Sequence, residues 1–231
     1  MSARTQIKTE AAMGTQTPSG WRQAGFWVCI VIAVAVVVRR VLALANAAPG
    51  AAPQLAALDA FFASHAGLTL AHILPALAFV GLAPWVVYHR SAATGLPLRL
   101  MFPLGAVVGI TAYAMAVDAF GGWVERSAVL VFNTLFLYSL SRAYWYLRHG
   151  EAPSQRRWML RAIGVLLGIA TTRPVMGIFF ATSRLTHLEP RQFFGWAFWI
   201  GFSVNTLVVE RWLRCTESPA RMAASTPDPR T

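Results

Sequence analysis

Apolar residues gather in six stretches along the chain, each close to the roughly 20 residues that a helix needs to cross the hydrocarbon core of a bilayer. They run from about Trp21 to Val38, Gly67 to Tyr88, Met101 to Phe120, Ser127 to Leu147, Met159 to Ala181 and Phe193 to Leu213. Four of the six stop at basic residues: Arg39-Arg40, His89-Arg90, Arg148 and Arg214. A backbone in lipid must satisfy its own hydrogen bonds, and a continuous helix does so. The pattern predicts an all-α fold, a polytopic membrane bundle of about six transmembrane helices over residues 21–214.

The segments between and beyond the spans are short. Residues 1–20 and 215–231 have no apolar period and predict disordered cytoplasmic tails. Ala47–Pro53 breaks the chain after the first span, and residues 54–64 predict a short amphipathic helix lying on the outer face. The first span has the look of a secretory signal, with Ala45-Asn46-Ala47 placed like a cleavage site. Arg39 and Arg40 stand between the apolar run and that site, so the segment reads as an uncleaved span.

Composition sharpens this picture. Of the 231 residues 56% are apolar and 13% are charged, where a soluble domain carries about 25% charged residues. The net charge is +11, from 20 Lys+Arg against 9 Asp+Glu. In so apolar a chain that excess points to membrane orientation and anionic lipid heads, not to nucleic acid. With the N-terminus cytoplasmic, the inner segments hold thirteen basic residues and the outer ones five. Both termini are therefore expected inside, with the chain in the inner (plasma) membrane of a bacterium. Trp21, Trp85, Trp145, Trp158 and Trp212 fall near the inner boundary and Trp123 and Trp196 near the outer one, where an amphipathic indole is best placed. Cys29 and Cys215 read as unpaired thiols.

Gly105 and Gly109 in the third span, and Gly164 and Gly168 in the fifth, have the spacing that lets helix backbones approach. They predict packing faces, within the bundle or between copies in an oligomer. Ionisable residues inside a membrane are costly and face the bundle interior. His72, Asp118, Asn133 and Arg173 all fall in the outer half of their spans, with Arg39, Arg40 and Arg184 capping outer ends. An ion pair between Arg173 and Asp118 is the natural compensation. The alternatives are a ligand site built from the four residues, and a guanidinium reaching out to the lipid heads. A second polar group, Arg142, Arg157, Arg161, Asn205 and Glu210, lies toward the inner side, with Glu210 expected to pair with Arg142 or Arg161.

The chain from His72 to Glu210 resembles the bacterial membrane-protein family called domain of unknown function 2306. The residues that carry the resemblance are His72, Ser141-Arg142-Ala143-Tyr144, Arg157-Trp158-Met159-Leu160-Arg161, Arg173, and Asn205 with Glu210. The family's histidines before the third span and before the Arg-Trp-Met run stand here as Leu98 and as Gln155 or Arg156. The resemblance implies a multi-pass membrane fold and assigns no activity.

The sequence has no phosphate-cradling glycine loop, no paired-cysteine metal spacing and no His-Glu-x-x-His, so no catalytic or metal residue is assigned. Three functions stay open: a protein that binds or moves a small ligand through the outer polar pocket, an electron-transfer protein holding haem b or touching quinone, and a non-catalytic accessory subunit. Haem across a bundle calls for two imidazoles at one depth, here His72 with His187. The topology is tested by alkaline phosphatase, which is active only outside the cytoplasm. Fusion after Gly122 is expected to give activity and fusion after Gly150 none; the reverse pattern contradicts it.

Overall fold

The computed structural model describes residues 20–45, 53–88 and 95–224. They form helices α1 (Gly20–Ala45), α2 (Pro53–Ser64), α3 (Ala66–Tyr88), α4 (Leu96–Val117), α5 (Gly122–Arg148), α6 (Ala152–Leu166), α7 (Gly168–Thr186) and α8 (Pro190–Ala224), with no strand among the described residues. The expected tail 1–20 falls almost wholly outside the described residues, as do residues 47–52 of the break after span one. The last helix runs on past Arg214 to Ala224, through residues that the apolar pattern assigns to a tail. Its continuation past the apolar stretch is supported by Arg214 bonding back to Glu210 one turn earlier and by the Thr216 hydroxyl donating to the Leu213 carbonyl.

Five helical segments are long and apolar enough to cross a membrane: α1, α3, α4, α6 with α7 as one rod (Ala152–Ser183), and α8 (Pro190–Thr216). The sequence pattern predicts six. The difference is α5, a 27-residue helix that carries Asn133, Thr134, Ser139, Ser141 and Arg142. It lies antiparallel along α4, with Leu140 over Gly105, Leu137 over Gly109 and the Tyr113 hydroxyl bonded to Thr134. It also packs on α6 and α8. A helix held by three neighbours meets lipid on less of its surface, and it can carry more polar residues on the faces it buries. Asn133 and Ser139 are both buried.

The rod of α6 and α7 is broken at Leu167, where the Ala170 N–H bonds back to the Leu167 carbonyl at 2.9 Å in a tightened turn. The outside of the bundle is apolar: Trp21, Ile110, Ile178 and Leu207 are each more than 60% exposed. Such a surface would promote aggregation in water and suits lipid. Among the described residues Cys29 and Cys215 are free thiols.

The four spaced glycines are filled by this chain itself. A Cβ on Gly105 would meet Leu140 at 2.7 Å, one on Gly164 would meet Val209 at 2.6 Å, one on Gly168 would meet Phe202 at 2.6 Å, and Leu137 covers Gly109. All four are buried, and they serve as packing faces within the bundle: α4 meets α5 there, and the α6–α7 rod meets α8. A neighbouring amide seals each seam. Asn133 Nδ2 donates to the Gly109 carbonyl at 2.9 Å, and Asn205 Nδ2 donates to the Gly164 carbonyl. Helix association in lipid depends on such close packing and interhelical hydrogen bonds. Gly168→Ala drives a methyl into the Phe202 side chain and to 3.1 Å from its backbone. The expected cost is about 1–3 kcal/mol, read as a lower unfolding temperature in detergent. Gly81→Ala, with open space around it, is expected to leave that temperature unchanged or raise it.

Candidate functional site

A cavity of about 220 Å³ lies between α1, α3, α4, α5, α7 and α8, in the half of the bundle capped by α2. Most of its wall is Ala, Val, Leu, Ile and Phe. The polar exceptions are Arg40, Thr69, His72, Glu125, Asn133 and Arg173. The cavity thus gathers three of the four residues that the apolar pattern places at this end: His72, Asn133 and Arg173.

The fourth, Asp118, does not join them. Helix α4 ends at Val117, and Asp118 is its C-cap, with φ −113° and ψ 50°. Stepping out of the helix turns the carboxylate away from the bundle. It is 67% exposed, and its near neighbour is His65, 3.9 Å from Nε2. The expected pair between Arg173 and Asp118 is therefore corrected. Among the described residues no carboxylate lies within ion-pair distance of Arg173. Its guanidinium sits within the protein, near Arg39 and Arg40. Nη1 reaches only the sulfur of Met176, at 3.7 Å, and the buried Nε has no partner.

Two acidic groups of this end escape the sequence reading. Asp59, on α2, takes Arg40 Nη1 at 2.5 Å and Arg39 Nη2 at 2.9 Å, and the Arg40 guanidinium lies 4.1 Å over the Phe62 ring. These contacts fasten α2 across the end of α1. Its signal in the sequence was a lone acid in a short apolar helix close after two arginines. Glu125, in the first turn of α5, is buried and accepts the Gly121 N–H at 2.6 Å. An acidic side chain there suits the positive end of the helix dipole. Gly195 lets α8 close on this turn, since a Cβ there would stand 2.5 Å from the Glu125 nitrogen.

The remaining polar side chains of the cavity reach neighbouring helices, Thr69 to the Phe62 carbonyl of α2, His72 to Thr111 of α4 and Asn133 to the Gly109 carbonyl of α4. The Thr111 hydroxyl bonds back to the Val107 carbonyl at 2.7 Å, and its oxygen lies within hydrogen-bond distance of His72 Nδ1, at 3.0 Å. The side chain of Arg184 lies outside the described residues.

At the other end of the bundle, Arg161 grips Glu210 with both Nε (2.9 Å) and Nη2 (3.3 Å), and Arg214 adds a third contact at 3.1 Å. Arg142 is not Glu210's partner. It bonds the Tyr146 hydroxyl at 2.8 Å and shares the Trp158 ring with Arg161, at 5.6 and 4.6 Å from its centre. Arg156 donates to the Val87 carbonyl at 2.6 Å, tying α6 to the end of α3. Arg157 is half-buried, and Asn205 is occupied by the Gly164 carbonyl. These groups form a belt of local contacts around aromatic rings and line no part of the cavity.

A family model described as Predicted membrane protein (DUF2306) matches residues 88–212, more than half of the chain. The chain belongs to this family. The DUF2306 segment takes in α4 to α7 and most of α8, with Asp118, Glu125, Asn133, Arg173 and the Arg161–Glu210 pair. His72 precedes it, so the resemblance begins later than the sequence reading put it, and α1, α2 and most of α3 stand outside. Leu98 and Gln155, at places the sequence reading gives to family histidines, are both 1% exposed. No curated protein matches the chain, and no solved structure does. Of the histidines weighed for haem, His72 lines the cavity, while His65 and His187 are exposed at the surface.

Proposed function

We propose that this DUF2306 protein is a six-span membrane protein, with α5 as the sixth span, that binds a small, largely apolar molecule in the cavity beneath α2. One observation carries the reading. The cavity is apolar on nearly all its wall yet exposes an arginine that has no counter-ion among the described residues. A wall of apolar side chains with a few fixed polar groups is the usual make-up of a small-molecule site.

The arrangement supports access from the α2 end. Phe61 and Phe62 of α2 contribute to the wall, and of the two ion pairs that hold α2, Arg39–Asp59 lies at the surface, where Arg39 is 47% exposed, and Arg40–Asp59 is part-buried. Exposed ion pairs are weak, typically below about 1 kcal/mol. By the bias of basic residues that end faces out of the cell, and the cavity would be filled from the outer leaflet or the periplasm.

Filling the cavity tests the reading. Ala112 lines it, and Ala112→Phe places a ring where a ligand would lie. Native mass spectrometry of protein extracted from its own membrane is expected to show a small bound molecule on the parent. The Ala112→Phe protein, folded and equally stable, is expected to lack it. Equal occupancy of the two proteins, or an empty parent, contradicts the proposal.

A further inference from the structure

We propose that the ligand is a singly charged amphiphilic carboxylate, with its head group on Arg173 and its hydrocarbon body along the apolar wall. This rests on the cavity being a ligand site and adds the chemistry of what it holds.

The charge of the head group follows from which acids are already engaged. Asp59 is taken by Arg39 and Arg40. Glu125 is taken by the Gly121 N–H. Asp118 is exposed beside His65. Arg173 remains, with five N–H donors and a thioether as its one contact. A buried charge is tolerated when it is paired and hydrogen-bonded, and costly when it is not. Among the described residues Arg39 and Arg40 share Asp59, and Arg173 is left with no acid against it. A monoanion pairs with that guanidinium. A phosphate monoester, with a charge of about −1.5 to −2, brings more charge than one guanidinium balances.

The geometry points to a carboxylate. A guanidinium presents two parallel donors that match its two oxygens. The side-chain oxygen of Asn133, whose Nδ2 donates to the Gly109 carbonyl, is an acceptor, suited to a second polar group and not to the acid itself. The rest of the wall offers only dispersion contacts, which an alkyl or aryl body supplies. At about 30 Å³ per water, the cavity of about 220 Å³ holds a short acyl chain.

The test uses the full chain in nanodiscs of zwitterionic lipid and follows its thermal unfolding with octanoate, octanol, octylammonium and octyl phosphate. Octanoate is expected to stabilise the parent saturably, with an affinity at least about tenfold above the other three, the usual weight of a hydrogen bond to a charged partner. Arg173→Met removes the orphan charge and keeps the length. It is expected to unfold no earlier than the parent without ligand and to lose the octanoate shift, while Arg173→Lys keeps part of that shift. If none of the four molecules stabilises the parent, the cavity is not a small-molecule site and both readings fall. If octanol, octylammonium or octyl phosphate matches octanoate, or Arg173→Met still responds to it, the cavity reading stands and the carboxylate is overturned. If Arg173→Met is destabilised without ligand, Arg173 is a structural residue and this proposal fails.

Discussion

Water is missing from the middle of a bilayer, so each polar group placed there must find its partner inside the protein. Nearly everything in this bundle is arranged around that rule. Asn133 and Asn205 give their N–H groups to glycine carbonyls on the next helix. Thr111 and Thr172 turn their hydroxyls back onto their own backbones. Glu210 is shared by two arginines, and Arg142 lies over aromatic rings. Against this background Arg173 stands out as an enclosed charge that no carboxylate among the described residues neutralises.

The glycine seams make that exception possible. Gly105 and Gly109 bring α5 against α4, and Gly164 and Gly168 bring α8 against the α6–α7 rod. Tight contact along these lines sets the helices close on one side of each pair. The cavity opens elsewhere, toward α1 and α3, under the cap made by α2. Asp59 holds that cap with two arginines, and Leu58 joins Phe120, Phe194 and Ala197 in a small aromatic core beside it.

Counting along apolar stretches gives the depth of a residue, and what depends on depth was legible in the sequence. The helices, the five apolar spans, the shared level of His72, Asn133 and Arg173, and the approach of Glu210 to an arginine follow from it. Direction around a helix does not. Depth alone left Arg142 and Arg161 as equal partners for Glu210, and the structure picks Arg161 because it faces α8. Depth also put Asp118 beside Arg173, and a helix ending one residue earlier sends it outward. Glu125 was hidden because it precedes the apolar part of α5, although its helix begins at Gly122. Asp59 was hidden because the docking of a short cap depends on its partners and not on its own periodicity.

The central claim is that Arg173, with no counter-ion among the described residues, meets one in the cavity. An experimental density map of the full protein, extracted with its native lipids, tests this most directly. The account predicts density for a non-protein molecule within hydrogen-bond distance of the Arg173 guanidinium, continuing into the cavity lined by His72 and Asn133. A carboxylate of the chain itself against Arg173, Asp118 or Glu125 above all, with the cavity closed around it, would contradict the account.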